Sequence, residues 1–193
     1  MSKLGGWNIK MSTSMPQKIA SAVAGIDEIC GCKYQPILYI GSQEVDGTNH
    51  AVLMKQIVIN GRNSANAAVV VFNEKPSCMD VSVIDIHRIV ESGGVFGGTT
   101  VDIMTDIPSE AMEAYKKARE AYIGAGIKPK AFLGTKIVKG KQYILFGEVE
   151  SMASPDAKTE AAIIVVNDMT NRLRLEPVFE PGDDDSLGYA FSW

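Results

Sequence analysis

Ala67-Ala68-Val69-Val70-Val71-Phe72-Asn73 and Ala161-Ala162-Ile163-Ile164-Val165-Val166-Asn167 are the stretches on which the fold turns. Each is a short apolar run, rich in β-branched side chains and closed by Asn, which is the composition of a buried strand. They are also one pattern written twice, at an offset of 94 residues. Outward from them the correspondence continues. Pro36, Gly41, Val45, Gly47 and Val52 fall on Pro129, Gly134, Val138, Gly140 and Leu145 at an offset of 93. Gly5-Gly6, Ile9, Met11 and Pro16 fall on Gly97-Gly98, Val101, Ile103 and Pro108 at an offset of 92. The order is kept, and the single-residue insertions lie between elements, where loops absorb them. The 193 residues therefore read as two tandem domains, 1–92 and 93–180, followed by an acidic and aromatic tail, 181–193. Gly93-Gly94-Val95-Phe96-Gly97-Gly98 reads as the linker.

Each unit carries the same predicted elements. A short leading strand holds Trp7, Ile9 and Met11, or Thr99, Val101 and Ile103. A helix follows, with Pro16 or Pro108 in its first turn and Ser14 or Asp106 as cap. Ile19, Ala22, Val23, Ile26 and Cys30 mark one helical face, and Ala111, Ala114, Tyr115, Ala118 and Tyr122 the other; Gly31 and Gly124 end the helices. Four strands come next, 36–43, 48–59, 67–73 and 79–90 in the first unit and 129–138, 141–149, 159–167 and 172–179 in the second. Turn signals between them, such as Asp46-Gly47, make antiparallel hairpins. The expected class is α+β: in each of two domains, one helix packed across a four- to five-stranded antiparallel sheet.

Composition narrows the function. A net charge of −4 and no basic stripe argue against nucleic acid. The apolar runs are far shorter than the roughly 20 residues a spanning helix needs, so no membrane partner is expected. No signal-peptide core precedes Trp7, and three cysteines, Cys30, Cys32 and Cys78, exclude a disulfide framework; both favour a cytoplasmic setting. Those cysteines, with His50 and His87, fall short of a closed metal site, and no nucleophile stands beside a base. Gly134-Thr135-Lys136-Ile137-Val138-Lys139-Gly140 fails as a phosphate loop, with five residues between its glycines and no helix after it. His50 and His87 read as strand side chains pairing or packing across a sheet. Neither an enzyme nor a cofactor is expected.

Gln43-Glu44-Val45-Asp46-Gly47, at a hairpin, matches the pattern Q-x-V-x-G, and Gly5-Gly6 precedes the first strand. With the helix between them, this order resembles the cystatin family of cysteine-protease inhibitors, and the stefin branch within it. The resemblance implies a wedge that blocks the active-site cleft of a papain-like cysteine protease without offering a cleavable bond. Carried onto this chain, the wedge comprises Gly5 and Gly6, then Gln43, Glu44, Val45, Asp46 and Gly47, then the hairpin at Asn73 and Pro76. The family's extracellular Pro-Trp pair is absent, since Ser77 follows Pro76. In the second unit Lys136 stands where Gln would, so that unit is a degenerate inhibitor and serves as a spacer, a dimerising half or a reader of a different partner. The alternative for the whole chain is a non-inhibitory binding module, or one forming a homodimer by strand exchange at Asp46-Gly47.

Overall fold

A strand whose alternate side chains are apolar on both faces must be covered on both. The computed structural model describes residues 6–26, 28–29, 31–59, 64–76, 80–93, 98–150 and 158–179, and in it the two faces of the 67–72 run have different covers. The elements in order are β1 (Trp7–Ser12), α1 (Gln17–Ala24), β2 (Glu28–Ile29), β3 (Cys32–Val45), β4 (Gly47–Val58), β5 (Ala65–Glu74) and β6 (Val81–Val90). Then come β7 (Thr99–Met104), α2 (Ser109–Glu120), β8 (Gly126–Ile137), β9 (Lys141–Glu150), β10 (Thr159–Asn167) and β11 (Arg172–Pro177). The strands make two antiparallel sheets, ordered β1-β3-β4-β5-β6 and β7-β8-β9-β10-β11, with β2 added to β3 off the first path.

Ala67, Val69 and Val71 of β5 join Leu38, Ile40, Ala51 and Leu53 on one face of the first sheet. Ala131, Leu133, Phe146, Ala161 and Ile163 of the second sheet belong to the same buried cluster. Val70 and Phe72 point the other way, onto Ile19 and Val23 of α1. The second sheet repeats this, with Leu145, Ala162, Ile164 and Val166 beneath Ala111, Ala114, Tyr115 and Ala118 of α2. The layers therefore run helix, sheet, sheet, helix. Contact is reciprocal: β1 lies against β10 and β7 against β5, so each half sets its leading strand on the other's penultimate strand, as in a pseudo-twofold pair. The Met11 amide donates to Glu148 Oε1 at 3.0 Å across the interface, and Lys55 Nζ stands 4.0 Å from Asp102.

This overturns the expected α+β class. Among the described residues the chain is mostly β, the two helices are only 8 and 12 residues long, and the sheets, each with a short helix on its outer face, close over a core they share instead of forming one helix across one sheet in each of two domains. The physical reason lies in the faces. Assigning the apolar side of each strand to a helix leaves Ala67, Val69 and Val71 uncovered, and the other sheet is what covers them. α1 is also shorter than its periodicity predicts. It stops at Gly25, a residue that weakens a helix by about 1 kcal/mol, well before Gly31. Pro16 and Pro108 occupy the N-cap positions themselves, and neither Ser14 nor Asp106 supplies a side-chain cap.

The repeated glycines at 41 and 134 have one local cause. A methyl group on Gly41 would lie 2.3 Å from the Asn8 carbonyl oxygen, and one on Gly134 would lie 2.1 Å from that of Thr100. Only glycine lets the leading strand approach this closely. Gly5, Cys30, Cys78 and the tail 181–193 lie outside the described residues.

The shared core makes a prediction about cooperativity. Phe146, fully buried between the sheets, should cost about 3–5 kcal/mol on substitution by Ala, lowering the melting temperature by roughly 10 °C. In a Trp193→Phe background, Trp7 fluorescence and far-ultraviolet circular dichroism should move together. Separate transitions, with only one displaced, would mean that the sheets fold independently.

Candidate functional site

Three separated pieces of chain meet at one end of the first sheet. β1 begins at Trp7, opposite Gln43, so Gly6 stands beside the β3–β4 hairpin. That hairpin turns through a single residue, Asp46, between the paired Val45 and Gly47. Glu74, at the end of β5, lies opposite Thr48, and Lys75 and Pro76 continue past the rim. Gly47 is the pivot. It has φ +101°, and a methyl group there would lie 2.4 Å from the Glu74 carbonyl oxygen and 3.2 Å from Pro76 Cδ. The β3–β4 turn and the Glu74–Pro76 segment are therefore packed against each other at a point no side chain can enter. Glu44, Val45, Asp46 and Pro76 face solvent, with Val45 39 % exposed. Gly6 is exposed as well, while Trp7 behind it stacks on Phe179 with ring centroids 4.3 Å apart.

Behind the exposed tip the side chains fix the pieces to one another. Asn73, expected on the contact surface, is buried, and its Nδ2 donates to Asn49 Oδ1 at 2.8 Å. Asn49 Nδ2 donates to Gln43 Oε1 at 3.0 Å. Gln43, Asn49 and Asn73 are directly opposite residues of β3, β4 and β5, so this amide ladder crosses three strands. Each such bond contributes about 1 kcal/mol net, and leaving one buried amide unmatched costs more. Gln43 and Asn73 hold the rim, then, while Glu44, Val45, Asp46 and Pro76 form its outer surface.

On the opposite face, next to the ladder, lies a cluster around His50, which the sequence pattern shows only as a strand histidine. Tyr39 Oη is 2.9 Å from His50 Nδ1. A neutral ring that accepts the tyrosine hydroxyl at Nδ1 carries its proton on Nε2, which faces Glu74 Oε2 at 3.6 Å. Lys18, the second residue of α1, pairs with the other oxygen of Glu74. The corresponding residue of α2 is Glu110, which pairs with Lys141 at 2.6 Å. Both helices are thus tied to the tip of their sheet by their second residue, with the charges reversed. The recurrence of position 18 at position 110 is visible in the sequence; the partners are not.

The second sheet has a tip of the same plan. The hairpin Val138-Lys139-Gly140 joins β8 to β9, and the turn 168–171 joins β10 to β11. Lys141 N donates to Asp168 Oδ1 at 2.9 Å, and Asp168 N to Lys141 O at 3.1 Å. Cys32 is buried at the start of β3. His87 follows Asp85 by two residues on β6, and among the described residues no three His, Cys, Asp or Glu side chains gather as metal ligands. Comparison with known proteins finds no protein-family model that matches this chain and no match among curated proteins.

The histidines set a pH dependence. Burial holds the His50 pKa below 6.5, against the pull of Glu74, and burial does the same to His87 against Asp85. Below pH 6.5 the unfolded chain takes up protons that the folded chain resists, so stability falls as the pH drops through that value. Lys18 holds the Glu74 carboxyl below 4.5, so Glu74 keeps its contribution until more acid pH. The melting temperature should fall between about pH 8 and about pH 5.5, and His50→Gln with His87→Gln should flatten the profile. An unchanged slope in the double variant would assign the effect to other groups.

Proposed function

We propose that the chain is a reversible inhibitor of papain-like cysteine proteases, acting by insertion of the rim of its first sheet into the active-site cleft. The observation that supports this reading most is the meeting of Gly6, the Gln43-Glu44-Val45-Asp46-Gly47 hairpin and Pro76 at one end of one sheet. These are the pieces that the resemblance to cystatins requires at a wedge. A tip whose loops are already packed together loses little conformational freedom on entering a groove. Val45 offers the apolar contact, flanked by Glu44 and Asp46. Burying those carboxylates without cationic partners costs several kcal/mol, so the cleft it fits carries basic groups at its mouth. The mechanism is occlusion: backbone and an apolar side chain displace water and substrate from the cleft, and no bond in the rim is presented for attack.

A second reading uses the same rim for self-association. The turn at Asp46 separates strands of 14 and 12 residues by one residue, so opening it is a direct route to strand exchange between two copies. The two readings separate by experiment: dimers without inhibition favour exchange.

Titration against papain and a panel of cathepsins tests the proposal. Wild-type protein should inhibit, and Val45→Asp should weaken inhibition more than about tenfold, equivalent to about 1.4 kcal/mol, with an unchanged melting temperature. Val45 is the better handle than Gly47, where any side chain would push Glu74 and Pro76 aside. Absence of inhibition across the panel, or equal inhibition by the Val45 variant, would end the wedge reading.

A further inference from the structure

We propose that the tip of the second sheet docks peripherally on an anionic membrane surface. Three large apolar side chains are exposed there together: Ile137 at 61 %, Val138 at 41 % and Met169 at 71 %. Ile137 ends β8, Val138 opens the turn after it and Met169 lies in the turn between β10 and β11, and the two turns are locked to one another. Besides the Lys141 amide's bond to the Asp168 carboxylate and the Asp168 amide's bond to the Lys141 carbonyl, a methyl group on Gly140 would lie 2.6 Å from both Asp168 Oδ1 and Met169 Cγ. Thr170 N donates to Asn167 Oδ1 at 2.9 Å and fixes the second turn internally. The apolar side chains are thus held out in water by a rigid frame, at a cost that a burying partner would recover.

Charge selects the partner. Lys136 and Lys139, both exposed, bracket Ile137 and Val138 in the sequence Lys136-Ile137-Val138-Lys139, and Arg172 is exposed at the base of the second turn. In a chain of net charge −4 this is a local reversal. Within one hairpin the apolar pair is flanked on both sides by cations, and the one carboxylate beside Met169, that of Asp168, accepts from the Lys141 amide. A protein partner would need a pocket shaped to both turns and a carboxylate for each lysine. A headgroup layer needs neither, because it deforms around apolar side chains at a depth of about 5–10 Å while lysine stems reach back to anionic headgroups. The absence of a long apolar run in the sequence speaks to spanning and leaves peripheral contact open.

The geometry also sets the orientation of the docked chain. Trp7, at the rim of the first sheet, stacks on Phe179, which follows the end of β11, whereas the apolar turn precedes its start. The first-sheet rim and the second-sheet tip therefore lie at opposite ends of β11. A chain seated by its second tip turns Glu44 and Asp46 away from the anionic surface and leaves the first rim accessible.

Cosedimentation of the full chain with vesicles of phosphatidylcholine and phosphatidylserine, about four to one, against phosphatidylcholine alone tests this. Partition onto the mixed vesicles is expected, weakened about tenfold or more by high salt or by Lys136→Glu with Lys139→Glu. Ile137→Ser with Met169→Ser should weaken it similarly, and Met169→Ser alone in part; circular dichroism melts verify that each variant is folded. No partition onto mixed vesicles, equal partition onto phosphatidylcholine alone, or indifference to both pairs of substitutions would overturn the proposal. Displacement by soluble polyglutamate, with the apolar substitutions silent, would assign the tip to an acidic protein and overturn it too.

Discussion

Apolarity on both faces of the central strands is the constraint from which the architecture follows. β4, β5, β9 and β10 cannot leave either face in water, and a helix of two or three turns covers only one. The remaining faces are nearly identical in the two repeats, Ala67-Val69-Val71 in one and Ala161-Ile163-Val165 in the other, and each is buried in the core between the sheets, under the other half's leading strand. A duplicated sequence thereby supplies its own complementary surface, as an isologous dimer does, within one chain. The reciprocal seating of β1 on β10 and β7 on β5 is the same symmetry seen from the edges.

Where that dry core ends, polar ladders begin. At the rim of the first sheet, Gln43, Asn49 and Asn73 join three strands on the inter-sheet face. At the other end of the same sheet, Gln56 donates to Tyr34 and accepts from Asn66 and Arg88, linking four strands on the helix face. These amides satisfy one another in positions too buried for water to do so, and they penalise any slip in register, because a one-residue shift would turn each amide to the opposite face. The rigidity of the rim is in this sense a by-product of terminating the core.

Much of this was legible in the sequence, and the residues show why the rest was not. The repeat, the four-strand meanders and the placement of 43–47 and 73–76 on hairpins follow from local pattern, and register then brings those hairpins together. The pairing of two sheets does not follow from local pattern, because alternation in Ala67-Ala68-Val69-Val70-Val71-Phe72 says that both faces are apolar without saying what covers each. Asn73, which the resemblance puts on the contact surface, ends a strand beside a turn; only its neighbours Asn49 and Gln43, distant in sequence, show it to be a strut. The second tip is not legible in Lys136-Ile137-Val138-Lys139, because the pattern does not say that both of its apolar side chains stay exposed.

The reversed charges at the helix starts carry one more consequence. Two halves this similar, synthesised on one chain, could dock each helix on the wrong sheet while the chain is still folding. Such a crossed arrangement would set Glu110 of α2 near Glu74, like against like, and would part Lys141 from its native partner, whereas the native arrangement opposes unlike charges at both places. The ion pairs at these exposed positions add little to final stability. What they do instead is distinguish the halves of a near-duplicate polypeptide: the charge at each helix start matches the tip of its own sheet.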